Sequence, residues 1–158
     1  MRVQFLLNIL LAVVWVFLTG TVNATNFAFG FILSYLVLWL ISSNDDKRKY
    51  FVIGPRIIGF AFYFLYELVK ANLQVAADVV TPKFYMEPGI VKYPLDAKSD
   101  LEITLLANVI TLTPGTLSLD VSDDRKVLYI HAMYVSDKDE FIDSIKNGFE
   151  KRILKIVR

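Results

Sequence analysis

The chain has 158 residues, over half of them hydrophobic, with 17 basic against 16 acidic side chains, one histidine and no cysteine. Without cysteine there are no disulfides, thiolate metal sites or cysteine nucleophiles, and a single imidazole excludes a multi-histidine metal site within one chain. Charge is close to balance and no basic face interleaved with aromatics is visible, so nucleic acid is not an expected partner.

The charges are unevenly placed, because only Arg2 precedes Asp45. From Val3 to Ile41 there is no Asp, Glu, Lys, Arg or His, and the only break is the polar turn Gly20-Thr21-Val22-Asn23-Ala24-Thr25-Asn26. Each half, with its flanks, is about 20 residues or roughly 30 Å as a helix, the thickness of bilayer hydrocarbon. Residues 1–43 are therefore expected to form a transmembrane helical hairpin. A secretory signal peptide would account for the first half alone, but the second apolar run follows at once, as a stop-transfer segment does. A buried soluble hairpin would need a solvated charged face, and none is present.

Arg2 and the cluster Lys47-Arg48-Lys49 flank the hairpin, while its turn carries no cation. Lys and Arg stay on the inner side, so the N-terminus and everything after residue 44 are expected in the cytoplasm. The cluster reads as a topology anchor near lipid headgroups, with a specific anionic-lipid site as the sharper alternative. Trp39 fits an interfacial belt, whereas Trp15 lies deeper and is expected to pack against a neighbouring helix.

Residues 44–85 hold a basic loop, a helix and a linker. Gly54-Pro55 punctuates the chain, and a helical pattern begins at Arg56. Arg56, Tyr63, Glu67, Lys70, Gln74 and Asp78 fall on one stripe of a 3.6-residue helix, and the remaining surface is apolar. Two arrangements fit: an amphipathic helix at the inner interface, or a third membrane helix with its stripe turned toward protein. Charge at mid-bilayer costs roughly 2.5 to 3.5 kcal/mol per residue, and Glu67 and Lys70 sit near the middle of the segment, which favours the interface. The stripe is expected to dock other subunits, with Glu67 and Lys70 as a mutual ion pair rather than a proton relay. Thr81 to Gly89, with two prolines, reads as a linker.

Residues 86–158 are expected to form a small α+β domain in the cytoplasm. Ile90 to Leu95 reads as an edge strand because of Pro94. Ser99-Asp100-Leu101-Glu102 matches a capping box, opening a helix with Leu101, Leu105, Val109 and Leu112 on one face and Thr104, Asn108 and Thr111 on another. Thr113-Pro114-Gly115-Thr116 is a turn. Leu117, Leu119 and Val121 then alternate with Ser118, Asp120 and Ser122, as in a strand with one covered face. Ser122 to Arg125 is a hairpin loop, and Val127 to Tyr134 has the doubly apolar pattern of a central strand. Asp137 to Glu140 is a second capping box, followed by the stripe Phe141, Ile142, Ile145, Phe149 and Ile153, with cations gathered at the helix end. The order β-α-β-β-α resembles part of a ferredoxin-like sandwich.

No catalytic constellation is legible. Asp120, Asp123 and Asp124 lack calcium-loop spacing and read as a solvated hairpin. Thr113 to Thr116 lack the P-loop pattern and read as a structural turn rather than an anion cradle. His131, in the central strand, reads as a core or interface histidine, with a pH sensor as the sharper alternative. No cofactor is implied.

The run Leu106-Ala107-Asn108-Val109-Ile110-Thr111-Leu112-Thr113-Pro114-Gly115-Thr116-Leu117-Ser118-Leu119-Asp120-Val121, followed by Leu128-Tyr129-Ile130-His131-Ala132, resembles the E-type subunit of the Mrp (Mnh) multisubunit sodium/proton antiporters of bacteria. The resemblance extends over essentially the full chain, including the apolar N-terminus. It implies an accessory, non-catalytic subunit of a cell-membrane complex, with sister subunits and lipid as partners and the ion pathways in larger subunits. Asn108, Thr111, Thr113, Pro114, Gly115, Thr116, Asp120 and His131 carry over as family markers, in a folding and docking element, and not as catalytic residues. A stand-alone membrane-tethered sensor with a cytoplasmic binding domain is the alternative, and an autonomous ion carrier is disfavoured by the few intramembrane charges.

Overall fold

The computed structural model describes residues 2–42, 45–81 and 86–158, apart from the side chains of Arg2 and residues 45–49. The Lys47-Arg48-Lys49 side chains and the centre of the expected linker, residues 82–85, lie outside that set. The chain forms two compact units, Met1–Pro55 and Arg56–Arg158.

In the first unit, α1 (Arg2–Thr19) and α2 (Ala24–Ile41) form an antiparallel pair. Gly20, with φ +65°, ends α1 in the left-handed conformation that glycine adopts without strain. Asn23 caps α2 by accepting from the Asn26 amide at 2.7 Å. Small residues bring the helices together: Ala12 and Ser34 are buried, and a Cβ on Gly30 would lie 2.7 Å from Cδ1 of Trp15. Trp15 meets the neighbouring helix as expected, its ring tilted against Phe29 at 5.6 Å and its Nε1 donating to Asn26 at 3.0 Å. Apolar side chains face outward, among them Phe17, Leu18 and Leu40, while Asn8 faces inward.

Helix α3 (Asp45–Val80) begins eleven residues before the pattern at Arg56 and runs through Pro55. The expected break at Gly54-Pro55 does not occur. Proline lacks the amide that would bond to the carbonyl four residues back. That carbonyl, on Phe51, instead accepts from Tyr35 Oη of α2 at 2.7 Å, so the helix continues without an orphaned acceptor.

The second unit adds β1 (Gly89–Pro94), α4 (Asp100–Leu112), β2 (Thr116–Val121), β3 (Val127–Ala132), α5 (Lys138–Ile145), a π-turn over Lys146–Glu150 and α6 (Lys151–Val157) to the later part of α3. The sheet order is β1-β3-β2, with β3 antiparallel to both neighbours, so β1 is an edge and β3 is central, as their patterns predict. Both halves of the capping box at Ser99 and Glu102 are made, and Asp137 caps α5. Helices α4 and α5–α6 cover one face of the sheet, burying Tyr93, Leu106, Ile110, Leu128, Ile130, Ile145, Phe149 and Ile153.

Two faces differ from their sequence pattern. In α4 the covered stripe is Ile103, Leu106 and Ile110, while Leu101 and Leu112 are exposed. In β2, Leu117 and Leu119 lie on the open side and Ser118 turns toward α4. Ser118 Oγ donates to the Ala107 carbonyl at 3.0 Å, and its amide donates to Thr111 Oγ1 at 3.1 Å. A serine there lets helix and strand approach closely, and a β-bulge between Ser118 and Asp120 shifts the register beyond it.

Candidate functional site

The polar stripe of α3 does not project into open space. It meets the chain's own α+β lobe along its length. Arg56 Nη1 donates to the Lys155 carbonyl at 2.6 Å, and Asp78, at the other end, accepts from Tyr134 Oη. Between them Tyr63 packs edge-on against Phe149 at 5.5 Å and lies under the Arg152 guanidinium at 3.8 Å. Gly148 makes this approach possible, since a Cβ there would fall 2.5 Å from Tyr63 Oη. Phe60 and Phe64 complete the apolar part of the seam against the lobe's core.

Glu67 and Lys70 form the expected pair at 3.8 Å. With Gln74 they line an open cavity of about 200 Å³ whose opposite wall is Thr113, Pro114, Gly115, Thr116 and Tyr134. Half of the stripe and the centre of the family-marker block thus meet across one cavity. Thr113 and Thr116 spend their hydroxyls on carbonyls of Val109, Ile110 and Thr113, and Gly115 takes φ +87°. This is a turn locked to the end of α4.

The other marker residues lie elsewhere. Asn108 is exposed, Thr111 supports Ser118, and Asp120 accepts from the adjacent Val121 amide. His131 is half-buried on the open face of the sheet, in register with Ile90 and Leu117. Asp124 accepts from Ser122 Oγ and the Lys126 amide, within the hairpin itself. Among the described residues, no three His, Cys, Asp or Glu side chains converge as a metal-binding group.

Sequence reasoning missed the polar joint that holds the lobe's own end in place. Glu150, fully buried, accepts from Tyr93 Oη at 2.6 Å and from the amides of Asp96 and Ala97 at 2.8 and 2.9 Å. It sits at the end of the π-turn, whose extra residue aims it at the β1–α4 connection. Burial, reinforced by Glu150, pushes the Tyr93 phenol far above its ordinary pKa. Beside it, Glu102 receives Arg158 at 2.9 and 3.1 Å in addition to its capping amides. The Arg158 hydrogen bond leads in holding the Glu102 carboxyl down at about 2. The one signal available in sequence was an acidic residue placed directly after Phe149 in an otherwise apolar stripe.

An apolar helical hairpin and a lobe that clasps its own amphipathic helix define a small membrane-associated protein. The chain belongs to the family of Na+/H+ ion antiporter subunits, whose family model matches residues 8–156. It is 42% identical over 156 residues to the Na(+)/H(+) antiporter E1 subunit of Staphylococcus haemolyticus, covering 99% of this chain and 98% of that protein. The E1 subunit of Staphylococcus saprophyticus is 40% identical over the same length, with the same coverage of both chains. Among solved structures, a chain of the Mrp complex from Dietzia sp. DQ12-45-1b matches with TM-score 0.50 and 32% identity, over 65% of this chain and 96% of that one. A chain of the membrane-bound sulfane sulfur reductase, an archaeal respiratory membrane complex, matches with TM-score 0.55 and 30% identity, over 95% and 96%.

Proposed function

We propose that this chain is an accessory, non-catalytic subunit of a multisubunit Na+/H+ antiporter in the bacterial cell membrane, supporting assembly and activity of the ion-translocating subunits. The observation that carries this reading is the full-length likeness to antiporter E1 subunits, together with a likeness to a chain of an Mrp complex. Its partners are the other antiporter subunits and lipid.

In this reading α1 and α2 cross the bilayer with the N-terminus inside, and the lobe is a cytoplasmic, ferredoxin-like unit. The split strand order, with β3 between β1 and β2 and antiparallel to both, supports that likeness. Residues 50–80 are long and apolar enough to cross a membrane by length and composition. The lobe, however, touches α3 from Arg56 to Asp78, about 33 Å of helix at 1.5 Å per residue. A spanning α3 would drag exposed Asp and Lys side chains of the lobe into hydrocarbon. We therefore assign α3 beyond Pro55 to the inner interface, with Phe62, Leu65, Val69 and Leu73, all exposed, toward lipid.

Within the stripe, Arg56, Tyr63 and Asp78 serve to hold helix and lobe together. Glu67, Lys70 and Gln74, at the cavity beside Thr113–Thr116, are assigned to contact with sister subunits. Three experiments test the reading. Omitting this subunit lowers recovery of its sisters and abolishes Na+/H+ exchange, and Glu67→Leu with Lys70→Leu does so in part; the chain alone in liposomes exchanges nothing. Exchange by the isolated chain, or a complex indifferent to its loss, overturns the proposal. Cysteines at Ala24 and Asp124, in the naturally cysteine-free chain, label from outside and from inside respectively; the opposite pattern overturns the orientation.

A further inference from the structure

Several cations of the lobe have a carboxylate close by: Lys146 pairs with Asp96 at 3.2 Å, and Arg158 with Glu102. Lys151 and Lys155 do not. Both are exposed, and among the described residues neither has an acidic side chain within ion-pair distance. They stand one helical turn apart on α6, on the same face. They border a groove of about 520 Å³ that Lys146 and Arg158 also line. Its two acidic residues are already occupied, Asp96 by Lys146 and Glu150 by Tyr93 and two amides. Arg56 adds a further cation at the same end of the lobe, where its guanidinium meets the Lys155 carbonyl at 2.6 Å. The apolar outer face of α3 begins beside it with Ile57 and Ile58, both exposed.

An unpaired cationic rim adjoining an exposed apolar helix face matches the two chemistries of an anionic membrane surface. We infer that the α6 groove seats the phosphate of an anionic phospholipid headgroup, with Lys151 and Lys155 as its principal contacts. This rests on the interfacial reading of α3. Cations at a helix C-terminus also offset the helix dipole, but that role would act equally in every lipid.

The full-length chain, in nanodiscs of phosphatidylcholine with or without phosphatidylglycerol, provides the test. An environment-sensitive dye is placed at Asn147→Cys in the groove or, in a second sample, at Phe62→Cys on the outer face of α3, and shielding from neutral acrylamide is read. Shielding at position 147 is expected only with phosphatidylglycerol. It should weaken at high salt and vanish in Lys151→Glu/Lys155→Glu, while Lys151→Arg/Lys155→Arg keeps it. The paired Lys→Ala variant should need about 30-fold more anionic lipid for half-shielding, at roughly fivefold per cation. Equal shielding in phosphatidylcholine, or insensitivity to charge reversal, overturns the inference. So does an equal effect of added inorganic phosphate in phosphatidylcholine discs, which identifies a free-anion site. Shielding only in the presence of sister subunits identifies an acidic protein surface and overturns it as well. A dye at position 62 open to quencher in both lipids shows that the interfacial reading itself has failed. A shielded 62 with an open 147 in phosphatidylglycerol sinks the headgroup seat alone.

Discussion

The hairpin and the lobe distribute their apolar side chains in opposite ways. In Met1–Pro55 small or polar residues, Ala12, Gly30, Ser34 and Asn8, sit inward beside Val16 and Phe51, while many large apolar side chains point out. In Arg56–Arg158 the large apolar residues are inside, and polar groups enter the core only where they are fully bonded, as Glu150 is. In the proposed placement lipid gives no hydrophobic drive between helices, so close backbone approach and a few hydrogen bonds hold the hairpin, whereas water drives the lobe together by burial. Helix α3 carries both rules on one element, polar and aromatic groups toward the lobe and an apolar face away from it.

The largest effect that would break this contrast is expected inside the lobe. Glu150→Leu leaves the Tyr93 hydroxyl and two amides without an acceptor and should destabilise the lobe by about 3 kcal/mol or more, at 1 to 3 per orphaned group. Amide exchange of β1 and β3 in the full-length protein reads this, and protection equal to that of the natural chain would refute the joint. In the hairpin the matching change is steric. Gly30→Ala sets a Cβ against the rigid Trp15 indole, for an expected loss of about 1 to 3 kcal/mol, followed by Trp15 fluorescence on thermal unfolding.

Smaller effects sharpen the comparison. Tyr35→Phe removes the donor that covers the carbonyl freed by Pro55 and should cost about 1 kcal/mol, seen as faster exchange around residue 51 with the lobe unaffected. Glu102→Gln is read by its pH dependence: at neutral pH it forfeits the charge-dependent part of the Arg158 contact, and in acid the difference from the natural chain closes. The folded carboxyl titrates near 2 instead of its ordinary 4.5, so its stabilisation is fully present above about pH 4.5 and is lost as pH falls toward 2. The variant should flatten the acid limb of the lobe's stability. An unchanged acid limb would mean that the Arg158 contact contributes nothing.

Local pattern made the hairpin, the edge and central strands, the Ser99 capping box, the Glu67–Lys70 pair and the family block legible, because each depends on residues a few positions apart or on solvent preference alone. The stripe named the candidate-site residues, but not what they touch. Glu150 escaped because its donors lie more than fifty residues away and its partner elements meet only after the lobe has closed.

The amino-acid order by itself determined that residues 3–41 carry no charge and form two apolar runs, that a compact α+β lobe follows, and that the chain belongs with antiporter subunits. Only the tertiary structure decided that α3 runs on through Pro55, that Ser118 rather than the neighbouring leucines faces α4, and that the polar stripe clasps its own lobe. The reason is common to all three. Periodicity tells which side chains share a face, but a face acquires meaning from the surface that covers it, and that surface comes from elsewhere in the chain.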